Sequence, residues 1–597
     1  MSHYKANLRD MEFNLFEVHR IQDYIGGDQW ADLDQDTVKD TLKEVERLAR
    51  EDFAASYVDQ DRVPLELIDG EVEIPESVKA SVRAFKEGGW ARFSLPEEMG
   101  GFPVPNTMFW AAQEMLLAAN TTVHFYAGGS LFARVLFEEG TDEQKEFAQL
   151  WVDKGWGGTM VLTEPDAGSD VGAGTTKAID MGDGTWHIEG VKRFITSGEH
   201  DITENIIHLV LARPEGAGPG TKGLSLFVVP KFLVNDDGSI GPRNGVYATN
   251  IEKKMGLKGS TTCEMTFGMD EPAVGYLVGG IHDGIRQMFR VIEHARMMVG
   301  TKAMGTLSTG YLNALEYAQQ RIQGRDLTEA TDKTADRVAI IEHPDVRRSL
   351  MNQKAHAEGL RALVSYTSWV QDQVALHPED DKWERRNDLL LPLVKGYSSE
   401  VAFRLLGDVL NIFGGSGYTQ DYPIEQYIRD VKIDSVYEGT TGIQALDLFF
   451  RKIARDQGQA LAAIAGEIVE FVKGGEGDDV LASERETLGT MLDDVQAHIG
   501  SMVESLMASM NGDDEQIYLV GLHATPLLES LSEVVVAWQL LRHAEIALPK
   551  VDEDPFYRGK VESALWYLDE VASNIAGRRR RAVAEDGHLM DLPVEAF

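Results

Sequence analysis

The sequence has a single cysteine and little positive charge. Cys263 is the only cysteine in 597 residues, which excludes an intrachain disulfide and a cysteine-based metal cluster. Lysine and arginine total 57 against 97 aspartate and glutamate residues, a net charge of −40 that argues against a general binder of nucleic acid or anionic membranes. The one basic run, 578–581, is interpreted as a solvated helix end beside acidic neighbours rather than as a contact for phosphate or RNA. A reducing compartment is the default, and we predict a cytoplasmic protein.

The chain also lacks a long hydrophobic run and a secretory signal. No stretch of 18 apolar residues occurs, and candidates such as 534–541 are too short to cross a bilayer. The first residues show no basic segment followed by an apolar one. We therefore predict no membrane span and no signal peptide.

What is present is the composition of a multidomain globular protein, 43% hydrophobic and 26% charged. Helical periodicity dominates the two ends of the chain, while its middle alternates apolar and polar residues between turn signals. We predict four domains: an N-terminal helical domain at 1–155, a β-domain at 156–283, a helical bundle at 284–456 and an additional C-terminal helical domain at 457–597.

The β-domain is predicted to be antiparallel. Strands are expected at 159–163, 185–189, 206–212, 224–229 and 262–267, with a hairpin turn at Asp183-Gly184. No G-x-G-x-x-G fingerprint follows a strand. These patterns indicate a small barrel or sandwich rather than a Rossmann sheet.

A short loop around Glu438 separates two helical patterns. Thr441 and Gln444 have the spacing of a capping box, which starts the second helix, over 442–454, at Thr440 or Thr441. Glu438 therefore lies just ahead of a helix N-terminus. Partial burial should raise its pKa and the helix dipole should lower it, a balance that suits a general base. The alternative is an exposed loop residue or a part of the helix-start motif.

A turn of small residues follows the first predicted strand, T-E-P-D-A-G-S-D over 163–170. Pro165 breaks the strand, and Gly168 tolerates a left-handed backbone. The hydroxyls of Thr163 and Ser169, with free backbone amides, suit an anionic or carbonyl ligand. Taken alone, the alternative is an ordinary polar turn.

The order of several motifs resembles that of the acyl-CoA dehydrogenase family. They are T-E-P-D-A-G-S-D over 163–170, K-R-F-I-T-S-G over 192–198, F-G-G-S-G-Y over 413–418 and Y-E-G-T over 437–440, and the resemblance covers about 80–455. It implies a mainly α fold with a central antiparallel β-domain, consisting of an α-domain, a β-barrel, an α-bundle and an extra C-terminal α-domain. It also implies FAD between the β-domain and the bundle, and Glu438 as the base that removes the α-proton of a fatty acyl-CoA while the β-hydride moves to flavin N5.

The resemblance further implies a set of flavin-binding residues. In the family, the residue matching Thr163 binds the flavin pyrimidine, and the residue matching Ser169 contacts either a flavin phosphate or the CoA arm. The residue matching Phe194 packs on the isoalloxazine. Arg321 matches an arginine that reaches the FAD pyrophosphate of a neighbouring subunit, a role that suits a guanidinium. Asn411 stands where glutamine is usual. The implied cofactor-binding set is Thr163, Gly168, Ser169, Phe194, Thr196, Arg321, Asn411, Gly415 and Thr440.

The resemblance implies a substrate set as well, and no metal site. The members are Ser169, Arg296, Tyr437 and Gly439, and the Glu438 backbone amide and the flavin ribityl hydroxyl would stabilise the thioester oxygen. Arg296 matches a family arginine near the base loop, with an ion pair on a helix as the equal alternative. Some relatives hold the base at the position of Ala295, where alanine cannot serve, which favours Glu438.

The flanking segments resemble a long subgroup of the family that includes 3-methylmercaptopropionyl-CoA dehydrogenase. The implied reaction is α,β-dehydrogenation of an acyl-CoA to the 2-enoyl-CoA, the substrate being 3-methylmercaptopropionyl-CoA or a short/medium-to-long fatty acyl-CoA. The implied partners are an electron-transfer flavoprotein and a second copy of the chain in a homodimer. Two alternatives stay open: an acyl-CoA oxidase that passes electrons to oxygen, and a non-catalytic flavoprotein that binds acyl-CoA.

Overall fold

The computed structural model describes residues 2–27, 29–474 and 480–597, which form two compact units. Within these residues, the first unit contains 2–4, 29–105 and 115–295, and the second contains 5–27, 106–114, 296–474 and 480–597. The predicted fold class, mainly α with a central antiparallel β-domain, is confirmed. The four predicted domain boundaries stay a prediction.

Several helices precede the β-domain in the sequence. They span Gln35–Leu48, Glu76–Glu87, Asn106–Ala127, Gly129–Glu139 and Asp142–Lys154. Thr141 caps the last of them in a capping box with Gln144. The helix Asn106–Ala127 is kinked at Asn120, which has non-helical dihedral angles (φ −165°, ψ 98°), and it ends at Gly128.

The β-domain contains one eight-stranded sheet and a separate two-stranded hairpin of Phe232–Val234 and Ile240–Arg243. The strands of the sheet are β1 Gly157–Val161, β2 Lys177–Asp180, β3 Trp186–Thr196, β4 Ile206–Pro214, β5 Ser225–Pro230, β6 Val246–Ile251, β7 Thr262–Phe267 and β8 Ala273–Leu277. The order is β6-β7-β3-β8-β5-β4-β1, and β2 pairs with both β3 and β4. Strands β3, β8, β5, β4 and β2 therefore close a ring, as the barrel prediction required.

The sheet is antiparallel except where β4 runs parallel to β1 and to β2. The hairpin between β2 and β3 turns through Gly182 and Gly184, both with positive φ, as expected from the Asp183-Gly184 pair. Buried apolar side chains fill the interior, among them Val161, Ile188, Val210, Phe227 and Phe267. This core fixes the strand ends from which the site residues project.

The second unit is helical. Its long helices are Gly284–Gln320, which begins in the first unit, Pro344–Leu376 and Lys382–Phe413, and shorter ones span Ile424–Val431 and Thr441–Asp447. The C-terminal helices are Gln459–Lys473, Ala482–Met510, Ile517–Ala547 and Pro555–Ala584. The polar connection 324–336 is mostly exposed, and the short strands at its two sides, Ile322–Arg325 and Arg337–Ala339, pair with each other.

A buried ionic network joins distant parts of the second unit. Arg361 donates to Asp10 at 2.6 Å and to Glu114 at 2.5 Å. Lys560, in the last long helix, donates to Asp10 at 2.7 Å and to Glu358 at 3.1 Å. Such a network is costly to break, because removing one partner leaves an uncompensated buried charge.

Two arginines of the basic run 578–581 pair with acidic neighbours, and one of them, Arg578, is largely buried rather than solvated as expected. Arg578 donates to Glu533 at 2.5 Å and contacts Glu529 at 2.9 Å, and Arg579 donates to Asp494 at 2.9 Å. These contacts favour a structural role over binding of phosphate.

One described helical stretch, Asp514–Lys550, is long and apolar enough to cross a membrane by length and composition alone. Within its most apolar 18-residue window, 67% is buried inside the protein. Leu527, Val534 and Leu541 are among its fully buried side chains, so the stretch behaves as a core helix. A cytoplasmic location stays a prediction.

Candidate active site

Glu438 lies in the predicted loop, between the 3-10 turn Lys432–Ser435 and the helix Thr441–Asp447. Thr440 caps this helix by accepting from the Ile443 N–H. The expected capping box of Thr441 and Gln444 is wrong, because the Gln444 amide turns back and donates to the Glu438 carbonyl at 2.9 Å. Thr441 instead donates to Glu400 at 2.7 Å.

The backbone of the loop is held in a left-handed turn. Glu438 has φ 57° and Gly439 has φ 89°, and a left-handed glutamate persists only where its surroundings impose it. Both carbonyls are tied: that of Glu438 by Gln444, and that of Gly439 by the Lys395 ammonium. In the described part of the chain the Glu438 N–H has no hydrogen-bond partner, so it is available to a ligand.

The Glu438 carboxyl is partly buried, and burial raises its pKa to about 7 against the opposing charges of Arg296 and Lys395. The predicted direction of the burial effect is confirmed. The alternative of an exposed loop residue is wrong. A carboxyl with a pKa near neutrality is suited to accept a proton from carbon and release it again.

The charges beside Glu438 are arranged as ion pairs. Arg296 donates to Asp447 at 2.9 Å, and Lys302 donates to Asp434 at 2.6 Å. The ion-pair alternative for Arg296 is therefore confirmed, and its charge also acts on Glu438; its role in substrate binding stays a prediction. Its buried Nε has no hydrogen-bond partner within the described residues.

Tyr437 and Lys395 complete the surroundings of the base loop. The Tyr437 hydroxyl is buried, and burial together with the neighbouring Asp434 charge raises its pKa well above the usual value. Lys395 is fully buried, and this burial lowers its pKa to about 8. Sequence reasoning missed Lys395; the available signal was a lysine directly after the apolar run 389–394.

The buried side chain of Glu164 anchors the turn 163–170. The Glu164 carboxylate accepts from the backbone N–H groups of Thr175 and Thr176 at 2.6 and 3.1 Å, and from Lys192 at 2.9 Å. These donors hold its pKa low, at about 2, despite burial. Glu164 is thus a fixed anion that locks the turn to the start of the following strand.

The tip of the anchored turn, at Gly168 and Ser169, is available to bind a ligand. Gly168 and Ser169 are exposed, and their backbone N–H groups have no partner within the described residues. The carbonyl of Thr163 accepts from the Arg193 N–H at 2.8 Å. Gly168 does not have a positive φ, and a Cβ there would meet Thr163 Cγ2 at an ordinary 4.0 Å. The backbone conformation therefore does not require glycine, whose lack of a side chain instead lets a ligand approach the backbone closely.

Phe194 presents an aromatic ring at an irregularity in β3, between the paired residues Lys192 and Ile195. It has φ 61°, and its side chain is 56% exposed. Thr196 is half-buried, and Ser197 is again left-handed with φ 56°. An exposed phenylalanine on a strained backbone indicates a platform for a flat ligand.

Comparison with known proteins identifies the family. Models of its N-terminal domain, middle domain and C-terminal domain match residues 39–148, 159–269 and 282–451, and an "acetyl-CoA dehydrogenase C-terminal like" model matches 464–593. The chain is 53% identical, over the whole of both sequences, to a broad-specificity linear acyl-CoA dehydrogenase of Mycobacterium tuberculosis. The chain belongs to the acyl-CoA dehydrogenase family.

Two further relatives agree with this assignment. The 3-methylmercaptopropionyl-CoA dehydrogenase of Ruegeria pomeroyi is 34% identical over 97% of each chain. A crystal structure of an acyl-CoA dehydrogenase from Bacillus anthracis complexed with FAD has a TM-score of 0.73 at 20% identity, covering 94% of this chain and 90% of that one. This acyl-CoA dehydrogenase is therefore an oxidoreductase that acts on an acyl-CoA.

The residues implied for FAD in the first unit of this acyl-CoA dehydrogenase fit a flavin. The free amides of Gly168 and Ser169 are donors for carbonyl and phosphate oxygens, and the ring of Phe194 offers an apolar face. In the second unit the Arg321 guanidinium and Asn411 are exposed, and a Cβ at Gly415 would meet no atom of the described residues within 4 Å. The structure brings Tyr437, Glu438, Gly439 and Thr440 together with Arg296, as predicted for the base loop; the binding roles stay predictions.

Proposed function

We propose that Glu438 is the catalytic base of this acyl-CoA dehydrogenase. The observation that carries the proposal is the anchored left-handed loop, in which a partly buried carboxyl has a pKa of about 7. With a pKa of about 7, the ionised form that can take a proton is populated near neutral pH. The intact carboxylate counts against the non-catalytic alternative.

The loop supplies a second element of the chemistry. Its two carbonyls are occupied by Gln444 and Lys395, while the Glu438 N–H is free. We propose that this N–H donates to the thioester oxygen of the substrate, where negative charge grows as the α-proton leaves. Base and oxyanion donor would then belong to one residue, so the same backbone turn fixes the positions of both.

FAD is the cofactor, and when bound it supplies the acceptor for the hydride from the β-carbon. The Glu438 carboxylate takes the α-proton, the α and β C–H bonds break, and a C=C bond forms. Two electrons leave the substrate with the hydride. The chain's own task is to hold the thioester, exclude water and carry one proton on a carboxylate oxygen of Glu438.

For the substrate, we propose linear saturated acyl-CoA thioesters of several chain lengths. The 53% identical relative is described as a broad-specificity linear acyl-CoA dehydrogenase, and this supports the fatty acyl alternative over the sulfur-containing one. The 34% identical 3-methylmercaptopropionyl-CoA dehydrogenase supports the latter less strongly.

We expect butyryl-, octanoyl- and palmitoyl-CoA each to bleach the enzyme-bound flavin under anaerobic stopped-flow conditions. 3-Methylmercaptopropionyl-CoA should bleach it at least about tenfold more slowly than the best linear substrate, a difference of about 1.4 kcal/mol in transition-state stabilisation. Faster bleaching by the sulfur compound would reverse the substrate assignment. Rapid reoxidation of the reduced enzyme on mixing with air would favour the oxidase alternative over transfer to an electron-transfer flavoprotein.

We also propose a homodimer in which Arg321 serves FAD of the partner subunit, with an electron-transfer flavoprotein as acceptor. The exposed Arg321 guanidinium and its match to the family arginine support this.

Arg321→Ala should lose FAD during dialysis while the far-ultraviolet circular dichroism is unchanged. Arg325→Ala is a nearby control, because Arg325 already binds the Ala335 and Lys333 carbonyls. Equal FAD content in both variants would contradict the assignment.

A further inference from the structure

Lys395 is a buried cation bound to the base loop. It lies in the helix Lys382–Phe413 with no exposed surface, and its ammonium donates to the Gly439 carbonyl. A buried lysine is costly unless a carboxylate compensates its charge. In the described part of the chain no carboxylate forms an ion pair with Lys395.

The other charged groups around the base loop are already paired. Arg296 is bound to Asp447, and Lys302 is bound to Asp434. The two partly exposed charges nearby are also occupied: Arg451 contacts Asp447 at 3.2 Å, and Glu400 accepts from Thr441. Among these groups, Lys395 and Glu438 are the cation and the carboxylate left without a direct partner.

The coupling between Lys395 and Glu438 is electrostatic and runs both ways. The charges of Arg296 and then Lys395 lower the pKa of Glu438, and the charges of Asp434 and then Glu438 raise the pKa of Lys395. The same lysine ties the carbonyl of the residue after Glu438, where the backbone is left-handed. One side chain therefore acts on both the position and the charge of the carboxyl.

Building on the proposed role of Glu438, we propose that Lys395 is the positioning residue of the base loop and the counter-charge of the base. Its ammonium fixes the turn that directs the Glu438 carboxyl and N–H, and its positive charge favours the carboxylate form needed for proton removal. The Arg296 charge also acts on Glu438 from its ion pair with Asp447, but Lys395 is the cation that in addition binds the loop backbone.

The test is the pH dependence of anaerobic flavin bleaching. In the parent enzyme the rate should rise with pH through about 7, because the carboxylate is the active form. Lys395→Met removes a positive charge beside Glu438, which raises the pKa of the carboxyl. The midpoint should move at least about one pH unit upward, with about tenfold slower bleaching at pH 7 and recovery towards higher pH.

Companion variants separate charge from folding. Lys395→Gln retains a donor for the Gly439 carbonyl but no charge, and it should show the same alkaline shift even if the methionine variant fails to fold. Lys395→Arg should keep the parent midpoint. Lys354→Met is the matched control: Lys354 donates to the Gly559 carbonyl at 2.9 Å and pairs with Glu358 in a different part of the unit, so its loss should leave the midpoint unchanged. Thermal melting and FAD content accompany each profile.

A uniform loss of rate at every pH, with the midpoint unmoved in the methionine and glutamine variants, would overturn the counter-charge role of Lys395. That failure is distinct from failure of the proposed function. If Glu438→Gln bleaches normally, Glu438 is not the base and both proposals fall. If Glu438→Gln is inactive while the Lys395 variants keep the parent midpoint, the inference about Lys395 alone falls.

Discussion

Glu438→Gln is expected to purify with normal FAD and to bind acyl-CoA, yet to lose flavin bleaching by about 10²–10⁴-fold, the typical effect of removing a general base. Glutamine preserves the size of the side chain, and the Gln444 and Lys395 bonds to the backbone carbonyls do not depend on the carboxylate. The oxyanion donor should therefore remain while the proton acceptor is lost. The measurement is flavin absorbance after anaerobic mixing with octanoyl-CoA.

Glu533→Gln is a stringent control for this substitution. Glu533 is also buried, and burial likewise raises its pKa to about 7, but it pairs with Arg578 in the C-terminal helices. The control should bleach at the parent rate even if its melting temperature falls. Bleaching within a few-fold of the parent in Glu438→Gln would show that another group removes the proton.

Deletion of 457–597 is expected to give insoluble or higher-order material instead of a smaller active enzyme. The helix Ile517–Ala547 packs directly on the bundle: a Cβ at Gly359 would lie 2.6 Å from Val536 Cγ1, and one at Gly396 would lie 3.0 Å from Leu528 Cδ1. Removing the C-terminal helices would uncover this apolar contact surface, which promotes association. It would also take Lys560 away from Asp10 and Glu358.

The matched control removes 587–597 alone. This tail is exposed and includes the exposed apolar residues Leu589, Met590 and Phe597, so its loss should keep solubility, FAD content and bleaching. Size-exclusion chromatography and bleaching by acyl-CoA distinguish the outcomes. A soluble and fully active protein lacking 457–597 would show that the additional helices have no structural role.

Local sequence signals predicted the elements well where one pattern dominates. Val38, Leu42, Val45 and Leu48 have helical spacing in the sequence and are buried on one helix, and Thr141 and Gln144 have the spacing of the capping box that starts the helix Asp142–Lys154. The Asp183-Gly184 turn joins two paired strands. Each of these depends on residues within a few positions of each other, which is the range over which periodicity and capping act.

The position of the base loop could be predicted from the sequence, but the hydrogen bonds that hold its conformation could not. The motif placed Glu438 ahead of a helix, yet the expected Thr441 and Gln444 box failed because Gln444 binds the Glu438 carbonyl instead. Lys395 lies 43 positions from Glu438, and its bond to Gly439 depends on how two helices pack. The parallel pairing of β4 with β1 escaped prediction for the same reason, since register between distant segments has no local signal.

The ionic network in the second unit has a consequence for synthesis of the chain. Asp10 is 351 positions from Arg361 and 550 from Lys560, so its final partner emerges from the ribosome almost last. Contacts of such long sequence separation form slowly, and domains completed late leave earlier segments exposed to aggregation. Until translation nears its end, the N-terminal segment must persist without its buried partners, a stage at which a chaperone that shields it would raise the yield of folded enzyme.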